Sequence, residues 1–272
     1  MKRYAQILSA ALCLGFVALC LPGCAGKQNA ASPAQTPVTL PGEPADTPAA
    51  APVQQEAALT ENARAAYKAA LTDLLNSHAL PDGTDLGHDE FGDPAGNRFA
   101  VCDVDRDGRR ELILVYTTTA MAGQTAGVYD YDEAARQLRS ELTEYPLLTF
   151  YDNGVIKALW SHNQGLGGDF WPYSFYRYDA DKDVYTLTGM ADAWEKALSP
   201  TDFQGNPYPE DLDTGKTGYV YYLIDGPEYR EVPPVDASAY ESWADGYLSG
   251  AAELAVAFWA LTEENIEGAL GE

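Results

Sequence analysis

Apolar residues recur at spacings of three and four near the start of the patterned region. Ala63, Tyr67, Ala70, Leu71, Leu74 and Leu75 fall on one stripe, and that period predicts an amphipathic helix. Thr60 is placed to cap it, Glu61 lies in its first turn, and Pro81-Asp82-Gly83 stops it. Beyond this point the period shortens to two. Runs rich in β-branched and aromatic residues predict strands over 98–102, 111–117, 126–131, 138–142, 147–151, 155–160, 173–178, 184–188 and 219–224. Turn signals separate them: Asp107-Gly108, Asp152-Asn153-Gly154 and the stretch from Asp179 to Asp183. Strands this close in sequence pair with their neighbours, so the sheet is antiparallel.

Helical spacing returns towards the C-terminus. Ser238 and Glu241 have capping-box spacing and predict a helix running to Gly250. Leu254, Val256 and Phe258 alternate, which predicts a last strand over 253–259. Thr262 then caps a short helix through Ile266 and Leu270. A helix, many strands and further helices give an α+β class with a mainly antiparallel sheet. An incomplete propeller-like sheet is the alternative. No repeat of 20–50 residues is present, which argues against a solenoid or a full propeller. The 18 tyrosines suit half-buried pleated surfaces; a sugar-stacking platform is the sharper reading of the same residues.

Charge narrows the partners. Of the 272 residues, 17 are basic and 41 acidic, a net −24. Residues 57–272 hold 14 of the basic and 38 of the acidic ones, so the whole −24 belongs to this part. Such a surface repels phosphate backbones and anionic headgroups, which argues against nucleic-acid binding and against docking through a basic patch. Hydrophobic residues make up 46%, enough for a packed core.

The N-terminus predicts the compartment. Lys2 and Arg3 precede an apolar run from Ile7 to Leu21, too short to span a bilayer comfortably. A short apolar segment behind a basic start is an export signal. It ends Leu21-Pro22-Gly23-Cys24, which resembles a bacterial lipobox. The resemblance implies a signal peptide over 1–23, a lipidated Cys24, and a lipid anchor holding the protein on the extracytoplasmic face of the cell membrane. A plain secretory signal cleaved near Ala25 is the alternative. Residues 24–56 are rich in Pro, Ala, Gln and Thr with no apolar period, which predicts a disordered tether ahead of a globular domain over 57–272. Cys13 and Cys20 leave with the signal. Cys102 is then the last thiol of the domain and reads as a buried structural one.

One stretch carries chemistry. Asp103, Asp105 and Asp107 alternate, then come Gly108, Arg109 and Glu111. Left alone, like charges about 4 Å apart repel by roughly 4 kcal/mol per pair at an effective dielectric near 20. Calcium takes six to eight hard oxygens and reverses that sign. Asp103, Asp105 and Asp107 would offer carboxylates, Arg109 its backbone carbonyl, and Glu111 a carboxylate directly or through water. Mg²⁺ rarely takes so many protein carboxylates. A metal-free acidic hairpin turn is the competing reading. The loop lacks the Glu of a full EF-hand, since Leu114 stands at position twelve. It resembles instead the strand–loop–strand calcium motif of FG-GAP repeats. With the lipobox, the tether and the ending from Leu261 to Ile266, the chain is similar to uncharacterised Gram-positive cell-envelope lipoproteins. That resemblance implies no particular activity.

Other signals are weaker. Asp179, Asp181 and Asp183 repeat the alternation, but Val184 replaces the glycine, so a solvated turn is expected. Gly215-Lys216-Thr217 lacks the earlier glycine of a phosphate loop, since that position holds Glu210. His78, His88 and His162 have no zinc spacing, and no Gly-x-Ser-x-Gly elbow occurs. Trp160, His162, Asp169 and Trp171 mark a candidate ligand loop with polar groups and mobile glycines; a long exposed loop between strands is the plainer reading of the same segment. The expectation is a non-catalytic binding or scaffold module with a structural Ca²⁺ and a surface glycan or protein partner. The alternative is a surface hydrolase of polysaccharide or peptide acting near His162 and Asp169.

Overall fold

The computed structural model describes residues 57–86, 96–163 and 165–271. The signal, the tether with Cys24, and His88 lie outside the described residues. Helix α1 spans Glu61–Ser77, and Thr60 caps it by accepting from the Ala63 amide. It buries Ala63, Tyr67, Ala70, Leu71 and Leu74, the expected stripe apart from Leu75, which is half-buried. It ends before Pro81, because His78 turns left-handed (φ 57°) and closes on the Leu74 carbonyl.

Among the described residues, ten strands form two open antiparallel sheets. The first has the order β10-β1-β2-β3-β4, built from Trp259–Ala260 (β10), Arg98–Cys102 (β1), Glu111–Tyr116 (β2), Thr125–Asp132 (β3) and Gln137–Glu144 (β4). The second runs in sequence order through Leu148–Phe150 (β5), Val155–Leu159 (β6), Tyr173–Asp179 (β7), Val184–Glu195 (β8) and Tyr219–Asp225 (β9). Two more helices, Ala237–Leu248 (α2) and Glu263–Leu270 (α3), complete an α+β fold.

Alternation along the strands sets the layers. Phe99, Leu112, Leu114, Tyr116, Tyr129 and Tyr131 face α1 and α3. The opposite side of that sheet, with Ala100, Ile113, Val128 and Leu142, packs on Phe150, Ile156 and Tyr185 of the second sheet. The far side of the second sheet, with Tyr173, Phe175 and Ala191, takes Tyr240, Trp243 and Tyr247 of α2. The sheets are therefore stacked layers, not blades of a propeller.

Three local expectations need correction. Strand β8 runs on past 188 to Glu195. A bulge opposite Phe175 and Tyr176 absorbs one residue, and Gly189 lets α2 approach, since a Cβ there would stand 2.5 Å from the Tyr247 hydroxyl. Helix α2 is capped by Asp236, whose carboxylate accepts from the Ala239 amide, while Ser238 donates to Asp236. The alternating stretch 253–259 is not a strand along its length. Leu254, Val256 and Phe258 pack on the inter-sheet core, but only Trp259 and Ala260 pair with β1.

Candidate metal centre

Strands β1 and β2 form a hairpin with Cys102 opposite Glu111. Glu111 shares a face with Ile113, two residues on, so it points into the layer between the sheets and is only 1% exposed. The intervening loop is shaped by its own carboxylates. Asp103 accepts from the Arg106 amide (2.7 Å), Asp105 from Asp107 (2.8 Å) and Asp107 from Arg109 (2.7 Å). Glu111 Oε2 accepts from the Val104 amide at 2.7 Å. Gly108 supplies the left-handed backbone the turn requires, at φ 92°. The segment ahead of α1 clamps the loop from outside, Ala58 donating to the Gly108 carbonyl and accepting from the Arg110 amide.

The four acids expected from the spacing do converge. Asp103, Asp105, Asp107 and Glu111 each present an oxygen within 4.8 Å of the others, and this group could hold a metal ion. Asp105 Oδ2 and Glu111 Oε1 are buried without a hydrogen-bond partner among the described residues. Unsatisfied buried carboxylate oxygens are costly, and a cation relieves that cost. The same environment opposes ionisation. Burial, then the charge of Asp105, pushes the Glu111 carboxyl up to about 10. Burial also pushes Asp105 up to about 6, although the Asp107 amide pulls it back.

The site extends beyond the loop. Asp130 on β3, Glu141 on β4 and Asp183 in the β7–β8 turn reach the same end of the inter-sheet layer. The Arg109 guanidinium binds Asp107 (2.5 Å), Asp130 (2.6 Å) and Asp183 (3.3 Å). Arg109, expected for its carbonyl, thus also brings its side chain. Arg139 pairs with Asp183 and lies 3.7 Å from Asp130. Asp183 also accepts from the Tyr178 hydroxyl, so it is an organised member of the network and not the solvated turn residue expected. Burial raises its carboxyl, but Tyr178, Arg139 and Arg109 outweigh this and hold it below the usual range. Spacing reveals none of these partners, because they arrive from strands far along the chain. The β4 bulge that marks Glu141 gives no sequence signal either, since it shows only in the pairing register.

Cys102 is a free, half-buried thiol pushed up to about 12, first by burial and then by Glu111, as suits a structural residue. The candidate ligand loop lies elsewhere. The Trp160 indole donates to Ser174 (2.9 Å), Trp171 donates to the Trp160 carbonyl (2.6 Å), and His162 meets the Ser161 hydroxyl at 3.0 Å. His162 and Asp169 are both exposed. Trp160 and His162 border a cleft of about 680 Å³, and Trp160 also lines a groove of about 620 Å³ over β8 and β9. No protein-family model matches the chain, and no curated protein or solved structure matches it significantly.

Proposed function

We propose that the chain is a lipid-anchored extracytoplasmic protein whose folded part is a non-catalytic binding or scaffold module held by calcium at the β1–β2 loop. The observation that carries the metal reading is the convergence of four carboxylates around buried, unpartnered oxygens of Asp105 and Glu111. A set made only of carboxylates suits a hard cation that takes many oxygens, hence calcium. The role is structural, because the loop ties β1, β2 and the approach to α1. The lipid anchor at Cys24 rests on the lipobox resemblance. The groove over β8 and β9 supports the binding role: its volume is that of a small-ligand site, and Tyr222, exposed Phe203 and exposed Tyr229 line it beside Asp192. Such a lining suits a surface glycan or a protein segment.

Thermal melts with calcium and with chelator test the metal. At a free concentration about a hundredfold above Kd, linkage adds about 2.7 kcal/mol, which for a domain of this size raises Tm by roughly 5–10 °C. Coincident melts would exclude calcium. The anchor is tested by Cys24→Ser, which should move the protein from the membrane fraction to the medium and abolish fatty-acid labelling.

A further inference from the structure

The first cation leaves the network unbalanced. Seven carboxylates (Asp103, Asp105, Asp107, Glu111, Asp130, Glu141 and Asp183) meet two guanidiniums, those of Arg109 and Arg139. Counted with every carboxylate ionised, one divalent ion still leaves an excess of three negative charges at the edge of a packed layer. Glu141 is the residue least provided for. Its side chain is fully shielded from solvent, and neither carboxylate oxygen has a hydrogen-bond partner among the described residues. Arg139 does not supply one: its nearest nitrogen is 3.6 Å from Glu141 Oε1, and its own buried Nε lacks an acceptor. Glu141 is also the extra residue of the β4 bulge. Val128 pairs with Leu142 and Tyr129 with Ser140, so Glu141 is left between them. Bulges re-aim side chains in this way.

We propose that Asp105, Glu141 and Asp183 form a second divalent-cation site that shares Asp105 with the loop and joins the two sheets. One oxygen of each lies within 4.8 Å of the others. They come from the β1–β2 loop, from β4 and from the β7–β8 turn, so an ion there fastens one sheet to the other. Asp105 is suited to sharing, because Oδ1 accepts from the Asp107 amide while Oδ2 is buried with no hydrogen-bond partner among the described residues. The Tyr185 hydroxyl, in the same inter-sheet cluster, is a further buried oxygen without a hydrogen-bond partner among the described residues. Asp183 already receives Arg109, Arg139 and the Tyr178 hydroxyl, and its 26% exposed side chain leaves one flank for water ligands. The ligand is a hard, oxygen-seeking divalent ion of the calcium kind.

The inference rests on the loop being a cation site, and calcium titration calorimetry of the full chain in 0.15 M KCl separates the two claims. The wild type should bind two ions. Glu141→Gln should bind one, with the remaining step within about threefold of its original affinity. Asp103→Asn, which touches only the loop group, should weaken the other step. A double variant carrying both substitutions measures binding by the acidic surface at large. A single wild-type step that Glu141→Gln leaves unchanged overturns the second site while the loop stands; no binding by the wild type overturns both. If Glu141→Gln does not fold by circular dichroism, the wild-type stoichiometry decides, two ions supporting the second site and one refuting it.

Discussion

Glu111 does two things at once. Its Oε2 holds the Val104 amide and shapes the loop, while its Oε1 lies buried and unpartnered. Glu111→Gln keeps an oxygen for Val104 and removes the charge. Without calcium, then, the variant should be no less stable than the wild type, because the cation-free wild type must take up a proton at this buried carboxyl in order to fold and glutamine needs none. With calcium it loses a ligand, and affinity should fall at least tenfold, equivalent to about 1.4 kcal/mol. Calorimetric titration measures the affinity, and chelated melts measure the stability. Undiminished calcium affinity would remove Glu111 from the site. The four loop acids could be read from the sequence because a single turn of nine residues gathers them. Asp130, Glu141 and Asp183 could not, since a carboxylate on a strand gives no hint of which distant turn it will face.

Helix α2 illustrates how a local signal can be off by two residues and still describe the same element. Ser238 and Glu241 have the spacing of a capping box, yet Asp236 accepts from the Ala239 amide and Ser238 supports Asp236. A helix of twelve residues with none fully buried depends on its ends and on its aromatic contacts. Asp236→Ala should cost about 1 kcal/mol, a loss of roughly 2–4 °C in Tm. Ser238→Ala should cost clearly less; the reverse order would return the cap to Ser238. Strands were legible where alternation coincided with a ladder, as at Arg98–Cys102, found at its expected bounds, although residues 189–195 of β8 pair with β9 and were not expected. They were misread where burial alternates without one. Leu254, Val256 and Phe258 satisfy the core from an irregular segment, and a pattern of apolar positions cannot distinguish that from a paired strand.

The whole molecule carries its −24 with most of the acids spread over the surface, but the inter-sheet network concentrates several where burial opposes their charge. Burial pushes Glu111 up to about 10 and Glu141 up to about 9, and nearby carboxylates push the same way. The ordinary value for both is 4.5. Between those limits the folded, cation-free protein holds protons that the unfolded chain has released. The stabilisation this represents is whole below the ordinary value and is lost as pH rises through the folded values. A cation takes the place of those protons, so the loaded form escapes the loss. The Tm of chelated protein should therefore fall between about pH 5 and 9, and the gap between loaded and chelated melts should widen over the same range. At pH 7 Glu111 is protonated in the cation-free form, so loop binding should release about one proton. Titrations in two buffers of different ionisation heat report that number. A gap that stays constant with pH, together with no proton release, would mean that the ion displaces no protons from these carboxylates, and the cation would then have to sit elsewhere.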